Sequence, residues 1–591
     1  MKKVLFFLLM ILFSIVSINA QTFKWNSFIS GIYKDIVSDV AVDGSGNVYA
    51  VGTFKNSVDF DPGSGYYYMN EANIDDKGDV FCFKLNSEGK FIWAKQVGGY
   101  TGSVSVTDPD VLLPKLSLDS SGNVYITGKY DYKVNFETKT GSSYYIPNPE
   151  LSDQFLAKLD TNGNFQWAKA IGQATSTPRI SINPTVKNIS IDNVGNIYLS
   201  GYFEGNLDFD SSINSYFLTA DNNYNDAFLL KLNNSGDFVW AGKIGNNGND
   251  DFAYDMDVNN GYLYLTGLYK GSVDFDITNS TNILVSNANT QDIFIAKYDL
   301  DGKIQWARTF GNDKGWHEGL GIKSDKNGNV YCTGKFRNFV DFDPDPINNF
   351  TLYTFGSIGN YLLKLNTSGN FIWAKNFEAT DIGGMSSRTA NIFDVGVNDY
   401  GVYITGNYVE KIDCDPSANK YELIGKDGNF EIFVISLSTD GLFNRAKSFP
   451  STKSDYPYAL WVNNNYLFVA GYFTGTIMLD NINVNGDDTD PSYNGFLAKF
   501  SDIANLNTKD FNLYSDNIVL YPNPTNGNIS LNSKTIVKTV SILDQSGKLL
   551  KDIEINNNVA TLNLQNYPNG IYYLRLNSFT QSTLKKIIIK K

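Results

Sequence analysis

The side chains able to do chemistry are few, and most are acidic. His317, in GWHEGL, is the single histidine, which excludes a histidine triad elsewhere and any multi-histidine metal site. Beside Glu318, it is expected to be a loop residue at the rim of a sheet. Cys82, Cys332 and Cys414 lie far apart and imply neither a disulfide nor a metal framework. Cys332 stands where other copies of a recurring motif place Ala50, Ile126, Leu199, Leu265, Ile404 and Val469, as expected of a small buried hydrophobe. No G-x-S-x-G, H-E-x-x-H or phosphate-cradling glycine loop is present. What recurs is V-D-F-D or a close variant: Asp59 with Asp61, Asp208 with Asp210, Asp274 with Asp276, and Asp341 with Asp343 and Asp345. Carboxylates two apart on a strand share a face, and clustered oxygens suit a hard cation. None of these segments has the glycine and glutamate spacing of an EF-hand loop. They are expected as strand ends and turns, with Ca²⁺ at Asp341, Asp343 and Asp345 the one cofactor possibility and no catalytic or metal residue assigned. Paired carboxylates also serve glycosidases at ~5 to 9.5 Å, but in so acidic a chain proximity alone identifies nothing.

These residues are carried by a pattern that returns every ~65 to 76 residues, a period of stacked or radial repeats. Its first element is a hairpin, read in VAVDGSGNVYAVG at 40–52 and LSLDSSGNVYITG at 116–128, with apolar alternation around an Asp/Asn/Gly turn. The aromatic after the turn recurs as Tyr49, Tyr125, Tyr198, Tyr264, Tyr331, Tyr403 and Phe468, which makes seven copies. The second element, DVFCFKL and its relatives, carries Phe81, Phe155, Phe228, Phe294, Tyr361, Phe433 and Phe496. A lysine follows three residues later in six of the seven, Ser436 being the exception, and is expected to be a solvated or edge-blocking charge. The third element holds Trp93, Trp167, Trp240, Trp306 and Trp373, while Arg445 takes that place in the sixth copy. The seventh copy lacks it. FKWNSFISG at 23–31 supplies a tryptophan, Trp25, ahead of the first hairpin, so the count closes only if this strand completes the blade containing Phe496. Four strands per copy suit an all-β chain folded as a seven-bladed β-propeller over 21–503. The recurring tryptophans are expected in its core, each worth roughly 1.5–3 kcal/mol of burial.

The ends of the chain read differently. Residues 1–20, with Lys2 and Lys3 before an apolar run, form a signal peptide, and no later segment approaches the ~20 apolar residues of a spanning helix. From Phe511 onward there are 9 basic and 4 acidic residues; the region between holds 37 basic and 58 acidic. Such a surface repels polyanions, so nucleic acid is not an expected partner. Residues 504–516 read as a linker, and 517–591 alternate as six or seven short strands of a small β-sandwich.

The copies resemble the bacterial SBBP-type β-propeller repeat through D-x-x-G-N-V-Y-x-x-G, V-D-F-D and D-x-F-x-x-K-L…W-A-K. That family implies an exported propeller with no single transferable activity. The tail resembles the type A C-terminal sorting domain of the Bacteroidota type IX secretion system. The matching residues are Tyr521, Pro522, Asn523 and Pro524, the Gly547-Lys548 turn, Asn569, Gly570, Ile571 and Tyr572, and the basic end with Lys585, Lys586, Lys590 and Lys591. The resemblance implies passage across the outer membrane by the type IX machinery, with release or surface attachment. The expected function is a secreted or cell-surface, non-catalytic protein whose loops, such as 97–113 and 171–186, bind a glycan or protein. The alternatives are a carbohydrate-active hydrolase or lyase and a structural surface or matrix component.

Overall fold

An aspartate builds the turn that opens most copies. Asp43 Oδ1 accepts the amides of Ser45 and Asn47, both at 2.9 Å, and the Tyr49 hydroxyl donates to Oδ2 at 3.2 Å. Asp119, Asp192 and Asp325 do the same for their own turns and tyrosines. Local carboxylate-to-amide bonds of this kind favour a turn over continued strand.

The computed structural model describes residues 22–501, apart from 30, 32, 72–77, 98–112, 131–132, 138–142, 148–152, 175–183, 221–223, 247, 279, 288–289, 355–357, 380–389, 427, 481 and 487–492, and residues 519–591 apart from 544–548 and 578–581. The expected signal peptide, the linker, most of both named loops, and Gly547 with Lys548 lie outside the described residues. Contacts divide the chain into two units, Met1–Asn505 and Leu506–Lys591. The described residues contain no α-helix, and no helix among them is long and apolar enough to cross a membrane.

In the first unit, Ile36–Val42, Val48–Phe54, Asp79–Leu85 and Phe91–Gln96 pair antiparallel in that order. Six further four-stranded sheets follow. The fourth strand of the last sheet is Thr22–Ile29, which pairs antiparallel with Asn494–Ser501 and sets Trp25 opposite Lys499. Trp93 faces Lys84 and Trp373 faces Lys364 in the same register. Each sheet's first strand neighbours that of the next, and Tyr456–Val462 of the last neighbours Ile36–Val42 of the first. The second and third strands are mostly buried, and Val48–Phe54, Asp79–Leu85, Asp226–Leu232 and Gly359–Leu365 wholly so, as in sheets that pack on both faces. The glycine of N-V-Y-x-x-G lies opposite a bulge in the first strand, where a Cβ on Gly52 would come 1.8 Å from the Ile36 carbonyl oxygen. Only a residue without that carbon fits.

The lysine of the third strand is not solvated. Lys84 and Trp93 Nε1 both donate to the Thr161 carbonyl in the following sheet, each at 3.2 Å. Lys364 and Trp373 meet at Thr439 O (2.8 and 3.2 Å), and Lys499 and Trp25 at Ser87 O (2.8 and 3.1 Å). The ammonium lies over the preceding tyrosine ring, at 4.7 Å for Lys84 on Tyr49. Burial between sheets turns an expected surface charge into a clamp, since a buried ammonium needs acceptors. The positive-φ glycine of the receiving turn lies against the indole, as Gly163 does on Trp93.

The second unit departs from the expected sandwich of six or seven short strands. Five strands form one hydrogen-bonded sheet, and two of them, Asn528–Leu543 and Leu549–Asn563, run for 16 and 15 residues. Their pairing is irregular between Asn532 and Thr539, with Asn556 at φ 49° opposite. Ile529, Leu531, Val540, Leu574 and Ile587 form its core.

Candidate functional site

The V-D-F-D carboxylates bend back onto their own turns. Asp341 Oδ1 accepts the amides of Asp343 and Phe350 (3.1 and 2.8 Å), Asp343 that of Asp345 (3.0 Å), and Asp345 that of Ile347 (2.9 Å). Asp59, Asp208 and Asp274 repeat the arrangement. Among the described residues no three His, Cys, Asp or Glu side chains are grouped so as to hold a metal ion.

His317 differs from its expected place at a rim. It is 0% exposed and sits immediately before the strand Glu318–Ser324. Its Nδ1 accepts the Arg337 amide at 3.3 Å. Asp251 accepts the Lys270 amide in the same way (2.9 Å), Asp35 that of Lys55 (3.1 Å) and Asp455 that of Thr474 (3.2 Å). Burial, and then Arg337, push His317 down to about 4, so the imidazole is neutral and replaces an aspartate as an acceptor. The three cysteines are buried and free.

The seven first strands surround a cavity of about 640 Å³, with Asp39, Asn188, Asp255, Lys323, Asp394 and Trp461 among its lining. Its acids are engaged in stitching one sheet to another. Asp39 Oδ2 accepts the Leu116 amide (3.0 Å), Asp255 Oδ2 that of Ile322 (2.7 Å) and Asp394 Oδ2 that of Leu460 (2.8 Å). Burial works against the Lys323 ammonium, but Asp255, Asp257, Asp394 and Asp39 outweigh it and raise its pKa. Burial lifts Asp394 to about 6, with Lys323 pulling the other way.

Near the start of the first strands the lining becomes aromatic. Tyr254, Phe393 and Tyr458 occupy the bulge position of their strands and face the cavity. Phe393 lies 6.5 Å from Tyr458 and 6.3 Å from Tyr456, Tyr254 stacks on Phe252 at 5.7 Å, and Lys187 approaches the Tyr254 ring at 5.9 Å. All are half-buried. Sequence reasoning missed this group. The available signal was the residue preceding the Asp39-type position, which reads Ser38, Pro114, Lys187, Tyr254, Leu320, Phe393 and Tyr458 and so turns aromatic in three copies.

Of the closure residues, Trp25 packs edge-on against Phe468 at 6.0 Å, and Phe496 is buried between Phe28 and Gly471 on its two partner strands. In the tail, distant motif pieces meet at the last strand. Asn523 Oδ1 accepts the Ile588 amide at 2.9 Å, Asn569 Oδ1 that of Lys591 at 2.9 Å, and the Tyr572 hydroxyl donates to Pro568 O at 3.1 Å. Tyr521, Pro522 and Pro524 are exposed, Gly570 opens the strand Gly570–Asn577, and Lys585 and Lys586 lie on Ser582–Ile589.

Against known proteins, the chain aligns at 23% identity over 557 residues with an uncharacterized WD repeat-containing protein of Acanthamoeba polyphaga mimivirus, 81% of this chain but only 38% of that protein's length. Two solved structures align along its length: PorZ, described as an essential bacterial surface component of the type-IX secretion system of Porphyromonas gingivalis (12% identity, 96% of this chain and 100% of that one, TM-score 0.18), and a biofilm-associated protein BSP domain (10% identity, 97% and 99%, TM-score 0.11). Superpositions at these scores carry no argument. Residues 519–590 match the secretion system C-terminal sorting domain. This tail engages the type IX machinery and directs export to the cell surface or beyond it.

Proposed function

We propose that this is a secreted or cell-surface, non-catalytic β-propeller of the SBBP type, with seven blades closed by the N-terminal strand, that binds a glycan or protein where its first strands begin. The observation that carries this reading is the division of labour along the channel. The deep carboxylates of Asp39, Asp255 and Asp394 are committed to backbone amides of neighbouring strands, leaving them poorly placed for acid–base work. The half-buried rings of Tyr254, Phe393 and Tyr458 at the mouth offer flat faces suited to sugar rings or apolar side chains.

The test is a screen of the purified mature chain against polysaccharides and surface proteins, scored for binding and for product release. Saturable binding without turnover, weakened at least tenfold by Tyr254→Ala with Tyr458→Ala, is expected. Product release would instead support the carbohydrate-active enzyme, and absence of any binding would leave a structural surface component.

A further inference from the structure

Comparing the lysine clamp across the sheets singles out one copy. In five of the six copies that have the lysine, a carboxylate stands near its ammonium. Asp43 is 4.0 Å from Lys84, Asp119 3.8 Å from Lys158 and Asp301 3.6 Å from Lys231; Asp325 and Asp440 act on Lys364, and Glu88 on Lys499. Lys297 has none among the described residues. The cause is local: the hairpin of this copy is shortened to Asn260-Gly261, with both residues at positive φ, and Asn259 follows Val258 where Asp43 follows Val42. The partner tyrosine is affected too. Tyr49, Tyr125, Tyr198 and Tyr331 bond their turn aspartates, whereas the Tyr264 hydroxyl, in a residue 1% exposed, has no hydrogen-bond partner.

Lys297 is 7% exposed, and among the described residues the only hydrogen bond of its ammonium goes to Thr367 O at 3.3 Å. Its ammonium otherwise rests on the Tyr262 ring, 3.7 Å from the centroid. An ammonium has three donors, so two remain available. Arg308 is beside the same groove, and its guanidinium donates only to the carbonyls of Ala307, Ser368 and Gly369. The groove measures about 550 Å³ and is lined by Lys297, Arg308, Gln305, Thr367, Ser368 and the Trp306 edge. Asp299 is engaged in its own turn, its Oδ1 accepting the amides of Asp301 and Lys303 (both 3.0 Å) and its Oδ2 the Gln305 side-chain amide at 3.4 Å. Two cations and two hydroxyl-bearing residues thus line a groove beside the one clamp lysine of the six that has no carboxylate near it among the described residues.

We propose that this groove is a binding site for a small carboxylate, which supplies the counter-ion that Lys297 lacks and is also reached by Arg308. The net charge of −14 argues for a single small anion over a polyanion, because the long-range field repels extended negative charge. An ammonium and a guanidinium together favour an oxyanion through charge-assisted bonds. The site is separate from the aromatic mouth and does not rest on the reading proposed for it.

The experiment follows the thermal unfolding midpoint of the mature full-length protein in sodium acetate and in sodium glucuronate, against sodium chloride at equal ionic strength, with glucose as the neutral control. Because Lys297 also ties two sheets together, the substitution is made at Arg308. A saturable rise with either carboxylate, absent with glucose, is expected. Arg308→Gln should weaken half-saturation at least tenfold, Arg308→Lys should retain part of it, and Lys169→Gln, at the matching position two copies earlier, should leave it unchanged. No rise, or an equal rise in the wild type and Arg308→Gln, would overturn the site and show that the Tyr262 ring alone suffices as partner for the ammonium.

Discussion

At the scale of single residues, recurring lysines, tryptophans and aspartates join one sheet to the next. Trp25 and Trp167 occupy matching positions, each with the positive-φ glycine of the following sheet, Gly89 or Gly236, against its ring. Trp25→Ala and Trp167→Ala should therefore each cost about 3–5 kcal/mol in denaturant melts, and a harmless Trp25→Ala would contradict their equivalence. Buried carboxylates give the chain a pH signature. Burial raises Asp251 to about 7, and Asp292 and Asp394 to about 6. Between the ordinary carboxylate value of about 4 and these raised values, the folded state holds more protons than the unfolded one. Their contribution is thus complete at low pH and lost as pH rises through 6 to 7. His317, lowered to about 4, acts in the opposite sense but is a single group. The unfolding midpoint should fall from pH 5 to pH 8, and Asp394→Asn should flatten the slope; a midpoint that rises over that range would refute the assignment.

At the scale of elements, the decisive pairing joins residues more than 460 positions apart, Thr22–Ile29 against Asn494–Ser501. Deleting residues 22–30 should leave the strand around Phe496 as an open edge, with aggregation or a large loss of stability by light scattering and melting; a monomeric deletion of unchanged stability would be inconsistent with it. The sheets were legible in the sequence because each strand is short, alternating and bounded by its own turn, as VAVDGSGNVYAVG shows. Less legible was whatever depends on the neighbouring sheet. The lysine of D-x-F-x-x-K-L looks like a surface charge until Thr161 O and Tyr49 are brought to it from either side. His317 reads as a rim loop residue until Asp35, Asp251 and Asp455 are seen in the matching buried place. The tail misled for the converse reason. Its apolar alternation breaks between Asn532 and Thr539, yet the strand runs on through that stretch as an irregularity in the pairing.

At the scale of the whole molecule, the tail carries the address, and recognition is the task proposed for the first unit. Asn523 and Asn569 hold the final strand by its backbone at Ile588 and Lys591, so the sorting motifs form one assembled surface and not a linear tag. Removing 519–591 should leave the first unit in the periplasm, followed by fractionation and immunoblotting; undiminished surface display would contradict the address assigned to the tail. The central claim is that the first and last strands of the repeat region belong to one sheet, and native-state hydrogen exchange measures this without any substitution. Amides of Trp25 to Ile29 should be protected to the same order as those of Phe91 to Gln96, the matching fourth strand of the first sheet. Exchange of 25–29 at the rate of an unstructured peptide, with Phe91 to Gln96 still protected, would show that the ring is not closed by this strand.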